Sequence, residues 1–335
     1  MFSPVLHGHR PLRERLLARA QGGGFRGSLL FTGPEGIGKR RVALELAQRE
    51  LCFRRSACGA CEGCRLLQGE ELPFELPNLL RIAPEGKAGV IRIDQIREGL
   101  DSMNQPRFSR GVIEWAALAP APGCHRWVVI EEAHRLNESS GNILLKTLEE
   151  PPPGAHFILV SHRPEAVLQT LRSRCERVAF QPLAPAEAWA VARSQGWGPG
   201  DHDRWTALGE GTLRYLDEAA FRRAEAQLEA WLALLAGTPF GEVAEPLLPE
   251  KESPLAQSEQ LRQPLELLLR LLADLARLRA GEGPALAPWR TELGRVSPDL
   301  DLKAPQEAAL EALRHLPRNL SPEPLLREVA LALVS

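Results

Sequence analysis

Two short clusters in this chain carry chemistry-bearing side chains at diagnostic spacing. The first is "LFTGPEGIGKRR", residues 30–41. Glycine-rich turns bring backbone N–H groups close to an anion and a following lysine adds a compact ammonium, so the pattern GxxxxGK[ST] cradles phosphate. Gly33, Gly38 and Lys39 satisfy it, with Pro34, Glu35, Gly36 and Ile37 between them. Arg40 then stands where a Ser or Thr hydroxyl would hold Mg²⁺. The second cluster is "CFRRSACGACEGC", which holds Cys52, Cys58, Cys61 and Cys64. Four thiolates this close can surround one tetrahedral Zn²⁺, and with every position filled by protein the expected site is structural.

The elements needed to position the phosphate loop are legible around it. "SLLFT" (28–32) predicts a buried strand, and "KRRVALELAQREL" (39–51) places Val42, Leu46 and Ala47 at helical spacing. A further run, "WVVIEEAHRL" (127–136), predicts a strand that ends on Glu131 and Glu132. In phosphate-loop proteins an acid at such a strand end contacts Mg²⁺ and a second acid orients the attacking water. The alternative is an acidic opening to a solvated helix. "NILLKTLEEPPPGAHFILVSHRP" (142–164) predicts a helix with Leu144, Leu145 and Leu148 on one face, a proline stop and another buried strand. The alternation predicts an α/β fold with a mostly parallel sheet covered on both faces.

Composition narrows the function classes. The 335 residues are 44% hydrophobic and carry a net charge of −2, enough for two or three domains and inconsistent with wholesale polybasic binding. Only five of 41 basic residues are lysines, so Lys39 marks a position that needs an ammonium and not merely a charge. The N-terminal segment has no apolar h-region, and charged residues interrupt the leucine-rich C-terminal stretches; neither secretion nor membrane spanning is expected, and the expected location is cytoplasmic. "LQTLRSRC" (168–175) predicts a short helix with an exposed Arg pair, and "ERVAFQPL" (176–183) a linker. Residues 109–125 are expected to form an exposed loop. Cys124 and Cys175 are expected to be small buried side chains, and Trp231 and Trp289 core or interface residues. Beyond residue 185 the periodicity is helical, with a Pro-containing connection at 246–260.

The string "NILLKTLEEPPP", the "SRC" at Ser173 to Cys175, the degenerate phosphate loop and the cysteine knuckle after its helix together resemble the delta-prime subunits of the bacterial DNA polymerase III clamp loader, within the AAA+ family. The resemblance covers residues 1 to about 220. The paralogous tau/gamma subunits share these motifs but carry an intact GK[ST] and an Asp-Glu pair, where this chain has Arg40 and Glu131. The resemblance implies an AAA+ domain with the zinc module over 1–178, a helical lid over 179–222 and a helical collar over 223–335. It matches Ser161 to a sensor position, Arg214 in "GEGTLRYL" to a second sensor, and Arg174 to an arginine that reaches the ATP site of a neighbouring subunit. Implied partners are the tau/gamma and delta subunits, with the sliding clamp and primer-template DNA met through the complex. With Arg40 near the metal position and Glu131 in place of Asp, ATP binding is expected to be weak or absent and hydrolysis lost. Two other readings stand beside this one: an active AAA+ ATPase with an unusual loop, and a zinc-stabilised nucleic-acid-binding protein.

Overall fold

Apolar runs become the strands of one parallel sheet. The computed structural model describes residues 8–21, 25, 27–67, 72–86, 89–120, 123–198, 201–250, 254–316 and 321–333. Residues 1–7, 121–122, 199–200, 251–253, 317–320 and 334–335, on which parts of the expected N-terminal segment, 109–125 loop, lid and collar fall, lie outside the described residues. The strands are β1 (Ser28–Thr32), β2 (Glu75–Leu76), β3 (Leu79–Ile82), β4 (Arg126–Ile130), β5 (Ala155–Ser161) and β6 (Cys175–Ala179). Their order is β2-β3-β4-β5-β1-β6, and all neighbours run parallel except the β2/β3 hairpin.

Helices cover both faces, so the central strands are buried along their whole length instead of alternating. The first unit's helices are α1 (Arg10–Gln21), α2 (Lys39–Leu51), α3 (Glu62–Arg65), α4 (Ile93–Arg97), α5 (Val112–Ala117), α6 (Glu138–Glu149), α7 (Gln169–Arg172) and α8 (Pro185–Ser194). On one face Leu29, Phe31, Trp127, Val129 and Ile158 pack with Leu16 of α1 and with Val42, Leu46 and Ala47 of α2. On the other, Leu30, Val128, Ile130, Phe157 and Leu159 pack with Ile96, Trp115, Leu144 and Leu148. Each fully buried Leu, Ile or Phe contributes about 1.5–3 kcal/mol, so this two-sided core holds the strand ends on which the site depends.

The parallel sheet covered on both faces, with the glycine-rich loop after β1, is the α/β arrangement expected above, and a helical C-terminal region follows it. Four local expectations are corrected. Among the described residues of 109–125 the chain is an exposed loop only in part: Val112–Ala117 form α5, whose Val112, Trp115 and Ala116 are buried, with Trp115 Nε1 donating to Glu75 Oε1 at 3.0 Å. "ERVAFQPL" is not a linker, because residues 175–179 pair with β1 in register Ser28↔Cys175 to Thr32↔Ala179. Its exposed Glu176 and Arg177 belong to an edge strand, where one face meets solvent. Residues 246–260 are a connection only in part, since a helix begins at Pro254. Cys124 and Cys175 are partly and not fully buried.

The chain divides into two compact units, residues 1–197 with 211–214, and residues 198–210 with 215–335. The second is helical: α9 (His202–Gly209), α10 (Glu218–Leu235), α11 (Phe240–Val243), α12 (Pro254–Arg279), α13 (Arg290–Leu293), α14 (Lys303–His315) and α15 (Pro322–Leu331). Trp205, Trp231 and Trp289 are buried in it, as expected for the latter two. Trp231 Nε1 donates to the Pro264 carbonyl at 2.8 Å, which ties α10 to α12. Among the described residues no helix is long and apolar enough to cross a membrane.

Candidate nucleotide site and cysteine knuckle

Both candidate sites are built on α2, one at each end. At its start the chain leaves β1 at Thr32, and Gly38 caps the helix in a left-handed conformation (φ 93°) that glycine adopts without steric cost. Lys39 is 5% exposed. Its Nζ donates to the Gly33 carbonyl at 2.8 Å and to that of Pro34. Burial pushes the Lys39 ammonium down to about 8, with Glu35 opposing the shift and Arg214 adding to it. The segment around Arg214 closes on the loop: Leu213 N–H donates to the Gly36 carbonyl at 2.8 Å, and Arg214 lies 3.7 Å from Glu35. Gly36 has φ +72°, and a Cβ there would come within 2.9 Å of the Arg214 nitrogen, so residues 211–214 need glycine at this point.

The parallel sheet gathers the other expected residues beside this loop. Ser161 pairs with Thr32 in the β1/β5 register and is 1% exposed; its Oγ is 3.1 Å from His134 Nδ1 and accepts from the Arg163 N–H at 3.0 Å. Glu131 follows β4 and is buried. Arg40 Nη1 lies 3.3 Å from Glu131 Oε2, and Arg81 of β3 donates to Oε1 from Nε at 2.9 Å and Nη2 at 2.7 Å. Glu132 adopts a left-handed conformation (φ 47°) and pairs with Arg135 at 2.7 Å. Backbone donors, the start of α2 and Lys39 make a set that suits an anion. The strand-end acid does not suit Mg²⁺, because guanidiniums hold both of its oxygens.

Arg174 is not part of this cluster. It lies just before β6, level with the start of β1, whereas the phosphate loop leaves the far end of β1, about 13 Å along the strand at roughly 3.3 Å per residue. Its Nε donates to Glu149 at 3.0 Å and its Nη1 to the Thr170 carbonyl at 3.1 Å. Arg172 is more exposed and donates to the Pro164 carbonyl at 3.2 Å. Arg81 escaped the sequence reading. The only signal was a charged residue inside the apolar run Leu79–Ile82, and the partner that gives it meaning is fifty residues away.

At the other end of α2 the chain turns at Cys52 into the knuckle. The sulfurs of Cys52, Cys58, Cys61 and Cys64 all lie within 4.8 Å of one another. Individual separations are 3.7 Å for Cys52/Cys58, 3.8 Å for Cys52/Cys61 and 4.0 Å for Cys58/Cys64. A tetrahedral ion with metal–sulfur bonds of about 2.3 Å has edges of about 3.8 Å, so the four positions fit one zinc-sized cation. Burial opposes ionisation of Cys52, yet backbone N–H groups of Cys58, Ser56 and Arg54 bring its thiol down to about 5. Backbone donation from Cys64 and Phe53 likewise lowers Cys61. Gly63 is required by packing: a Cβ there would run into the Leu51 carbonyl. Arg55 anchors the loop through the Gly123 carbonyl and Cys124 Sγ, the latter at 3.2 Å.

The chain is similar to several known proteins. A family model described as DNA polymerase III, delta subunit, matches residues 8–184. The delta' subunit of DNA polymerase III from Escherichia coli K12 is 32% identical over 186 residues, 54% of this chain and 50% of that protein. The delta' subunit from Pseudomonas aeruginosa is 36% identical over 162 residues, 48% and 44% of the two. The gamma/tau subunit of Mycobacterium tuberculosis is 34% identical over 160 residues, 47% of this chain and 24% of its own length. A gamma subunit-related protein of Thermotoga maritima aligns over 96% of this chain and 98% of its own at 18% identity with a TM-score of 0.43. The chain spans about half the length of the delta' relatives it matches. With more than half of its residues inside the family model, and with the phosphate loop, knuckle and paired strand-end acid all within the matched stretch, the chain belongs to the DNA polymerase III delta-subunit family.

Proposed function

We propose that this chain is a delta-prime-type subunit of a DNA polymerase III clamp loader that does not hydrolyse ATP itself but helps complete the ATP site of a neighbour. The observation that carries the first half is the closure of Glu131 by Arg81 and Arg40. An acid held in this way can neither ligate a metal nor gain one cheaply, and phosphoryl transfer depends on that metal. Lys39 and the loop backbone retain an anion-binding character, so any nucleotide is held weakly and serves structure. The second half rests on Arg174, which stands at the opposite end of β1 from its own loop, where its guanidinium pairs with the exposed Glu149 and offers a fork of donors that a neighbour's phosphate can take over from that pair. The partners proposed are tau/gamma and delta subunits, with the sliding clamp and primer-template DNA engaged through the assembly in the cytoplasm.

In this reading residues 1–178 are the AAA+ domain, 179–222 a lid and 223–335 the collar through which subunits join. Ser161, Glu132 and Arg214 are remnants of the sensing and water-orienting positions, and the four cysteines hold one structural Zn²⁺. Two measurements test the proposal. The purified chain should turn over ATP at background rate, and mixing with tau/gamma and delta should yield a complex by size-exclusion chromatography. Robust Mg²⁺-dependent turnover, or failure to assemble, would defeat it. One observation favours a second reading, direct nucleic-acid contact by the knuckle: Phe53 is 94% exposed next to exposed Arg54 and Arg55. Loss of single-stranded DNA binding by the isolated chain on Phe53→Ala would support it.

A further inference from the structure

The phosphate-loop reading places a divalent cation at the carboxylate ending β4, and two guanidiniums are already there. Their grips differ. Arg81 has a side chain only 6% exposed, and it gives two donors to Glu131 Oε1 while its Nη1 donates to the Leu72 carbonyl at 2.8 Å and the Pro73 carbonyl at 3.3 Å. The sheet fixes its place, since Arg81 is in register with Val129 and the Glu131 N–H donates to the Ile82 carbonyl at 2.8 Å. Arg40 is 47% exposed and makes one long contact of 3.3 Å to the other oxygen. One carboxylate between two guanidiniums leaves net positive charge, so an approaching Mg²⁺ meets repulsion. Taking the carboxylate away would also strand a buried charge on Arg81, the costly way to break such a pair.

We propose that Arg81 is the positioning residue that converts the strand-end acid from a cation ligand into half of a structural ion pair, with Arg40 as the outer and weaker block. The proposal rests on reading residues 33–39 as a nucleotide loop with Glu131 at its metal position, and not on assembly with other subunits. Restoring a hydroxyl at residue 40 repairs the motif while leaving Arg81 in place. Both arginines must go before a divalent cation can enter.

The test is Mn²⁺ binding to the full chain in the presence of ATP, read by electron paramagnetic resonance against ATP alone. The unaltered chain and Arg40→Ser should add no protein-bound Mn²⁺, whereas Arg40→Ser/Arg81→Met should gain a stoichiometric site. A site in Arg40→Ser alone, or none in the double variant, overturns the proposal. Because Arg81→Met removes buried hydrogen bonds, thermal melting of Glu131→Gln gives an independent reading. A carboxylate held for a metal relieves strain when neutralised, whereas half of a structural pair does the opposite. Glu131→Gln should therefore lower Tm by about 5 °C or more, and an unchanged or raised Tm contradicts the proposal. Neither measurement depends on other subunits, so a failure here leaves the assembly result standing, and the reverse holds as well.

Discussion

The two ends of α2 present opposite electrostatic situations within one short stretch of chain. At the C-terminal end four sulfurs converge within 4.8 Å of one another, and backbone N–H groups favour the thiolate at Cys52 and Cys61. Ionised, these ligands can only repel one another, so the arrangement calls for a cation between them. At the N-terminal end the charges already neutralise each other. Lys39 donates to loop carbonyls, Glu35 faces Arg214, and Glu131 lies between Arg81 and Arg40. Ionisable groups thus give one end a need for a ligand and the other a closed set of internal pairs. Whether a polar cluster is a working site depends on what its groups already touch.

The largest effect that would sharpen this contrast is at the knuckle. Cys61→Ser should lose zinc by elemental analysis and speed amide exchange across residues 52–66, since structural zinc contributes on the order of 10 kcal/mol in small metal-folded units. The sheet, with its core elsewhere, should keep its protection. Zinc retained at the unaltered level would break the comparison. A smaller perturbation of the same end is Gly63→Ala, whose Cβ meets the Leu51 backbone. It should weaken zinc affinity, measured by competition with a chromophoric chelator, at a cost of about 1–3 kcal/mol.

Acid should act near this end as well. His156 is 7% exposed, packs against the rings of Trp127, Phe25 and His125, and is held down to about 4 by burial, with His125 adding repulsion. His125 in turn pairs with Glu50 in the last turn of α2, at 3.2 Å. A histidine whose folded-state value lies below its ordinary 6.5 binds its proton more readily when unfolded, so stability is full above about pH 6.5 and falls as the pH drops toward 4. The loss is about 3 kcal/mol at most. His156→Phe should flatten denaturant midpoints across that window; an unchanged slope would remove His156 as its cause. The smallest effect belongs to the opposite end: Arg40→Thr should leave ATP turnover at background, and recovery of Mg²⁺-dependent hydrolysis would show that the N-terminal site is only one residue from working.

Legibility in the sequence followed distance along the chain. The phosphate loop and the cysteine cluster are contiguous, so residue type and spacing were enough to place them, and the central strands announced themselves as uninterrupted apolar runs. Residues 175–179 did not, because an edge strand with exposed Glu176 and Arg177 lacks the double-sided burial that makes such runs visible. The helix at 112–117 was hidden by its brevity and by the prolines that follow. Arg81 could not be read at all: its role exists only because β3 and β4 are neighbours, a pairing between segments almost fifty residues apart. What the sequence showed was which groups are present; which of them cancel each other was a property of the sheet.

The proposed role is that this chain lends a residue, Arg174, to catalysis it does not itself perform. The most direct measurement is DNA-stimulated ATP hydrolysis by the complex reconstituted with tau/gamma and delta subunits, comparing the unaltered chain, Arg174→Ala and Arg172→Ala. Arginines that stabilise the transition state of phosphoryl transfer from a neighbouring subunit contribute on the order of 10³–10⁵ in rate at the site they serve. Arg174→Ala should therefore silence the adjoining site while assembly and the fold persist, and Arg172→Ala should hydrolyse ATP as the unaltered complex does. Equal rates for all three complexes would contradict the claim.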